Sequence, residues 1–280
     1  GYNGKAVAFN KNGEQLWQFP KSENIDSWIN WCDVNDNNDK VVLSTSAYEI
    51  RPDMKYRDTM YLIDKKTGQL INSIEVPPVA PFENTVMRGS PNFSEDGEFL
   101  AAACSDGRGM LFDAAGKALW QRELSKPVQI DNVWINASGR DGFAAEAGVI
   151  FTTINTFNRE NWQLPTPVEH PSNNSMFVFN YDGTFKYKYR ALGTMEQIDF
   201  SNNMAACAVG RNVRTHNYAA HGAVVLDLND GTELNFFHTE GPLQAVAISS
   251  NGKKIAGIEA PAVTPEGKII GAYRLHIWQR

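Results

Sequence analysis

Ser90-Pro-Asn-Phe-Ser-Glu-Asp-Gly-Glu-Phe-Leu-Ala-Ala-Ala-Cys-Ser-Asp-Gly-Arg-Gly-Met-Leu-Phe-Asp-Ala-Ala-Gly-Lys-Ala-Leu-Trp-Gln-Arg-Glu-Leu124 reads as four short strands separated by three turns. The turns are Ser94-Glu-Asp-Gly97, Ser105-Asp-Gly107 and Asp113-Ala-Ala-Gly116. Each is rich in residues that tolerate positive φ or hydrogen-bond their own backbone. The apolar runs between them are too short for helices and are spaced like an antiparallel meander.

The same unit recurs along the chain. Glycine-closed turns stand at Lys11-Asn-Gly13, Asp64-Lys-Lys-Thr-Gly68, Asp113-Ala-Ala-Gly116, Asn180-Tyr-Asp-Gly183 and Asp227-Leu-Asn-Asp-Gly231. Their intervals are roughly 50 to 65 residues, near the period of four-stranded propeller blades. An aromatic or apolar strand follows each glycine, such as Leu16-Trp-Gln-Phe19 and Ala118-Leu-Trp-Gln121, and another precedes each turn. These are third and fourth strands. First and second strands alternate with them, as in Gln244-Ala-Val-Ala-Ile248 followed by Lys254-Ile-Ala-Gly257. In the fourth unit, Asn132-Val-Trp-Ile135 is expected to lead through Ser138-Gly-Arg-Asp-Gly142 to a second strand at Phe143-Ala-Ala145.

The expected fold is therefore all-β, one propeller of four-stranded antiparallel blades spanning 1–280. The units are 5–20, 27–77, 86–124, 131–191, 195–238 and 243–280. Six blades are favoured, and five or seven are compatible with the repeats. The first unit supplies only third and fourth strands, and the last supplies first to third, so the two ends do not complement each other neatly.

Composition narrows the function. The 280 residues carry a net charge of -6, which argues against a general nucleic-acid surface. No apolar run of about 18 residues is present, so no membrane insertion is expected. The three cysteines, Cys32, Cys104 and Cys207, are widely spaced and form no disulfide framework. Cys104 and Cys207 follow alanine runs late in second strands and read as small buried hydrophobes.

Phe93-Ser-Glu-Asp-Gly97, Asp106-Gly107, Leu111-Phe-Asp113, Gly116-Lys-Ala-Leu-Trp120 and Gly13-Glu-Gln-Leu-Trp17 resemble the prokaryotic PQQ-like and WD40-like β-propeller repeat proteins. The resemblance spans the chain and implies architecture. It departs from WD40 repeats in lacking Gly-His and Trp-Asp dipeptides, and from quinoprotein dehydrogenases in lacking a vicinal cysteine pair. PQQ binding is therefore not expected, and no cofactor is assigned. Propellers of this appearance resemble periplasmic or secreted bacterial proteins, which is the expected location.

Propeller topology places second-to-third and blade-to-blade connections on one face. That face receives the long segments 47–58, 76–83, 153–171, 211–221 and 260–267, and long loops on a rigid scaffold concentrate binding residues. The expected partner-binding set is Tyr48, Arg51, Lys55, Tyr56, Arg57, Phe157, Arg159, Trp162, Arg211, Arg214 and Tyr218, a mix suited to protein contacts. Its arginines suit an acidic partner or an anionic ligand. His170, beside Glu169, with His216 and His221 forms a candidate zinc set, weighed against ordinary structural or solvated histidines. Asp33, Asn35, Asn37 and Asp39 form a candidate calcium loop, although Asn38 replaces the turn glycine and no glutamate follows at the twelfth position. A polar turn explains the same run.

No P-loop, Rossmann or Gly-x-Ser-x-Gly fingerprint occurs, and no catalytic residue is assigned. The expected function is a non-enzymatic interaction scaffold or accessory subunit of a larger extracytoplasmic complex, with a protein partner. The alternative is a propeller enzyme or ligand-binding protein using the central pocket.

Overall fold

The computed structural model describes residues 4–21, 28–46, 58–82, 85, 91–130, 133–157, 170–210, 221–264 and 266–280. They form seven sheets: six are, in sequence order, the blades of a β-propeller, and the seventh is a two-stranded hairpin within the last of them. Blade 1 is a hairpin of β1 (Ala6–Phe9) and β2 (Gln15–Phe19). Blade 2 holds β3 (Trp28–Asn35), β4 (Lys40–Ser46), β5 (Asp58–Asp64) and β6 (Leu70–Val76). Blade 3 holds β7 (Asn92–Phe93), β8 (Phe99–Ala103), β9 (Arg108–Asp113) and β10 (Ala118–Glu123). Blade 4 has five strands: β11 (Val128–Ile130), β12 (Val133–Ala145), β13 (Gly148–Phe157), β14 (Ser175–Phe179) and β15 (Phe185–Arg190). Blade 5 holds β16 (Met195–Ser201), β17 (Met204–Val209), β18 (Gly222–Asp227) and β19 (Glu233–His238). Blade 6 comprises β20 (Leu243–Ile248), β21 (Lys254–Glu259) and, after a small hairpin of β22 (Ala262–Val263) and β23 (Ile269–Ile270), β24 (Arg274–Gln279). Strand neighbours within each blade run antiparallel.

Blade 4 departs from expectation. Phe143-Ala-Ala145 is not a second strand but the end of the long first strand β12, and the second strand is β13. Gly139 and Gly142 do not turn the chain. They let β12 lie against blade 3: a Cβ on Gly139 would stand 2.5 Å from the Cys104 carbonyl oxygen, and one on Gly142 2.7 Å from the Ala102 nitrogen. Close backbone approach, rather than a reversal, is what those glycines serve.

The core is divided into five apolar slabs, each between successive blades. Phe19 packs with Ile29, Val41 and Leu43 between blades 1 and 2. Met60 and Leu62 meet Leu100 and Phe112. Leu111 and Ala101 meet Phe151 and Phe179. Ile150 and Val178 meet Cys207 and Val224. Ala206 and Val225 meet Val246 and Ile255. Among the described residues no sixth slab joins blade 6 to blade 1.

Outer-strand side chains clasp each of blades 1 to 4 to the blade that follows. Trp17 Nε1 donates to the Lys65 carbonyl at 2.7 Å, Asn72 Nδ2 to Ala115 at 2.9 Å, Trp120 Nε1 to Tyr181 at 2.8 Å and Tyr187 Oη to Leu228 at 2.8 Å. Every acceptor lies in the β-turn between third and fourth strands. Aspartates hold those turns: Asp64 Oδ1 accepts from the Lys66 and Thr67 amides, and Asp113 Oδ1 from Ala115 and Lys117. The turn glycine has two duties here. Gly231 has φ +80°, and a Cβ there would sit 2.6 Å from the Tyr187 ring of the preceding blade.

Two substitutions test the clasp. Tyr187→Phe keeps the ring and removes one hydrogen bond, so it is expected to cost about 1 kcal/mol. Gly231→Ala adds backbone strain and a clash with that ring, and is expected to cost more, roughly 1–3 kcal/mol. Urea unfolding of both variants against the parent measures the difference.

Candidate functional site

Much of the expected long-loop site lies outside the described residues: Tyr48, Arg51, Lys55, Tyr56, Arg57, Arg159, Trp162, Arg211, Arg214, Tyr218 and His216. Phe157 ends β13, and only its backbone placement is described. The described part of that face holds a cavity of about 320 Å³ lined by Val79, Phe82, Asp106, Arg108, Gln121 and Ser125. Its guanidinium is committed to structure. Arg108 Nη2 bonds Asp106 at 2.6 Å and the Pro77 carbonyl at 2.7 Å, and Nη1 bonds Gln121 at 3.1 Å.

Of the expected zinc set, His216 lies outside the described residues, and His170 and His221 are buried with backbone partners. His170 is buried; its Nε2 lies 2.7 Å from the Lys126 carbonyl, and its Nδ1 accepts from the Ser172 amide at 3.0 Å. Both ring nitrogens are used by backbone, so the ring has no lone pair to offer a metal. His221 is buried in blade 5 with Nδ1 3.3 Å from the Glu240 carbonyl. Among the described residues no group of three His, Cys, Asp or Glu side chains is arranged to hold a metal.

The expected calcium loop is an inter-blade seam. Asp33 Oδ2 accepts from the Phe93 amide at 2.9 Å. Asn35 is buried, donating to the Ser94 carbonyl at 2.9 Å while its Oδ1 accepts the Asn37 and Asn38 amides. Asn37 donates to the Glu95 carbonyl at 2.6 Å. Asp39 pairs with Lys65 and Lys66. Asp33 Oδ2 thus faces blade 3, Asn35 Oδ1 caps its own turn and Asp39 meets the lysines of the turn between β5 and β6, so these oxygens are each engaged by a different protein donor.

The larger polar-rimmed cavity, about 670 Å³, opens among the tight turns, away from the expected face. It is lined by Asn37 of blade 2, Phe93, Glu95 and Asp96 of blade 3, Phe143, Glu146 and Tyr181 of blade 4, and Phe200 and Asn202 of blade 5. Phe93, Phe143 and Phe200 stand near the ends of the first strands β7, β12 and β16. Topology therefore brings three aromatic side chains from successive blades to one mouth. The Phe143 and Phe200 rings meet edge to face at 5.0 Å. Tyr181 Oη donates to the Ala145 carbonyl at 3.0 Å, and burial pushes its pKa up to about 12. The Ser94 hydroxyl and the Glu98 amide hold Asp96 below the ordinary carboxylate value. Glu95, Asp96 and Glu146 face no Lys, Arg or His in the lining. The mouth is thus aromatic and negative. Its sequence signal was the repetition of Phe ahead of a turn in three units, visible only once blade 4 is placed in the right register.

No protein-family model matches the chain, and no curated protein matches it. Solved structures do match. The crystal structure of BamB from Moraxella catarrhalis aligns over 100% of this chain and 71% of that one, with a TM-score of 0.54 and 14% identity. Dihydro-heme d1 dehydrogenase NirN in complex with DHE aligns over 99% of this chain and 56% of that one, with a TM-score of 0.57 and 12% identity. BBS1N in complex with ARL6DN aligns over 96% and 72%, with a TM-score of 0.54 and 9% identity. The chain is a β-propeller similar to PQQ-like and WD40-like propellers, and at these identities the likeness establishes the fold alone.

The buried histidines set a pH dependence. Burial lowers the pKa of both His170 and His221, against the opposing pull of the carbonyls of Lys126 and Glu240. The unfolded chain then protonates first as pH falls through about 6.5. Their contribution to stability is complete above that pH and is lost below it, as the pH descends toward the folded values. The urea midpoint is expected to fall between pH 7.5 and pH 5.5 (values of order one unit either side of the imidazole pKa). His170→Gln is expected to flatten that slope.

Proposed function

We propose that this propeller is a non-catalytic interaction scaffold, an accessory subunit of a periplasmic or secreted assembly that holds a basic segment of a protein partner. The observation that carries this reading is the cavity mouth among the tight turns, where Phe93, Phe143 and Phe200 lie beside Glu95, Asp96 and Glu146. Aromatic faces and carboxylates in one concave site favour lysine and arginine side chains through cation–π and ion-pair contacts. The residues that looked like chemistry in the sequence, His170, His221, Asp33 and Asn35, are spent on backbone partners. BBS1N, one of the structural neighbours, was solved with a bound partner, ARL6DN. That precedent supports the reading by analogy of fold.

A fluorescein-labelled peptide of alternating lysine and arginine tests the site, with a glutamate-rich peptide as control. The expected result is saturable binding of the basic peptide only. It weakens with salt, drops about tenfold or more in Glu146→Lys and Phe143→Ala, and leaves the melting temperature of Glu146→Lys near that of the parent. Equal binding of both peptides, or no binding of either, overturns the reading. A neutral small molecule that saturates the mouth in place of the basic peptide would favour the ligand-binding alternative.

A further inference from the structure

The cavity mouth among the tight turns has a hydrogen-bonding bias. Each donor-bearing side chain of its lining is held by a protein acceptor. Asn37 Nδ2 donates to the Glu95 carbonyl at 2.6 Å, Ser94 Oγ to Asp96 Oδ1 at 2.5 Å, and Asn202 Nδ2 to the Ser250 carbonyl at 3.3 Å. Tyr181 Oη is taken by the Ala145 carbonyl. What the lining offers outward is acceptors. The carboxylates of Glu95, Asp96 and Glu146 are exposed, and the lining sets no cation beside them.

The same bonds fix where those acceptors stand. The turn that bears Glu95 and Asp96 is tied to blade 2 by three asparagines. Asn35 and Asn37 both reach the Glu95 carbonyl, and Asn38 Nδ2 donates to the Gly97 carbonyl at 2.7 Å. Asp96 Oδ1 accepts from the Glu98 amide at 3.0 Å as well as from Ser94, which holds that carboxylate in one orientation. The turn that bears Glu146 is tied through Ala145 to Tyr181, whose ring packs on Phe99 at 4.8 Å. Carboxylates from blades 3 and 4 thus share one opening with the half-buried rings of Phe143 and Phe200. Pre-set acceptors cost a ligand less ordering when it binds.

Resting on the reading of this mouth as a site for a basic segment, we infer that the group it selects is an arginine side chain, taken over lysine and over neutral isosteres because the site presents acceptors and ring faces. A guanidinium carries five N–H donors around a planar rim and no acceptor. It can lie on a phenylalanine face while its rim bonds carboxylates of both blades. A lysine ammonium is a compact, strongly hydrated point charge, so it gains less from a ring and gives up more water. Citrulline keeps the shape of arginine but loses the charge and replaces one donor group by a carbonyl oxygen. Among carboxylates that oxygen has no donor to meet, and it is left unpaired.

Three fluorescein-labelled peptides of equal length test this on the full chain. Each alternates glycine with one residue: arginine, lysine or citrulline. The arginine peptide is expected to bind about fivefold tighter than the lysine peptide, the scale of a cation–π contact at an exposed site. It is expected to bind about thirtyfold tighter than the citrulline peptide, the scale of a charge-assisted hydrogen bond. Glu146→Gln changes an exposed turn residue and puts a donor among the acceptors. It is expected to weaken arginine binding several-fold and to narrow the margin over citrulline, because a carboxamide can donate to the citrulline carbonyl. Its melting temperature is expected to stay near that of the parent. Lysine bound as tightly as arginine, or tighter, overturns the inference and leaves the basic-segment reading standing. An unchanged arginine-to-citrulline margin in Glu146→Gln overturns it in the same way. Citrulline bound as tightly as arginine by the parent, or no binding of any of the three, overturns both.

Discussion

An outer-strand side chain of one blade reaching the turn carbonyl of the next is the contact on which the rest of this structure depends. The described residues contain no helix, and a single blade is only a small meander. A four-stranded sheet has two apolar faces and cannot bury either alone. Here, at the five junctions from blade 1 to blade 6, facing sheets cover each other, so stability is built from nearest-neighbour interfaces, much as in other repeat proteins. Trp17, Asn72, Trp120 and Tyr187 set the spacing of those interfaces by docking on Lys65, Ala115, Tyr181 and Leu228. The aspartate-held turns supply the acceptors, and their glycines leave room for the incoming ring.

The same economy explains why the polar residues that suggest chemistry are structural. A propeller brings inner strands of adjacent blades close together without pairing them along their length. Their exposed amides and carbonyls need partners, because unmet backbone groups in a packed interior are costly. Asp33 and Asp199 accept amides of the next blade's first strand, and Asn92 and Arg140 donate to carbonyls there. His170 serves a loop carbonyl in the same way. Glu259 follows a related pattern. Burial would raise it, but His276, the Gly241 and Ala272 amides and Arg274 outweigh that and hold it below the usual value. Among the described residues, the aromatic mouth among the tight turns is a concave surface the repeat leaves open.

The repeating turns made most of the fold legible. Asp113-Ala-Ala-Gly116 and its counterparts mark the third and fourth strands because only such residues hold a tight reversal with positive φ. Blade 4 differs from the sequence expectation because Gly139 and Gly142 have the character of turn residues but serve as contact residues, and local sequence does not distinguish the two. The candidate zinc and calcium sets were proposed from donor identity, and donor identity is shared with capping and clasping roles. Loop length points away from the aromatic mouth, whose three phenylalanines stand at short connections.

The amino-acid sequence alone determined that the chain is all-β, that its units repeat, and that each unit is a short meander. Those features rest on local backbone chemistry and alternation, which act within a few residues. Tertiary structure decided which face of each strand meets which blade, where β12 ends, and what His170 and Asn35 bind. Those outcomes depend on contacts between residues far apart in sequence, 59 positions for Asn35 with Ser94 and 44 for His170 with Lys126. No short-range pattern encodes whether such a contact forms. The residues 90–124 thus specify a blade, and only the neighbouring blades specify what that blade presents.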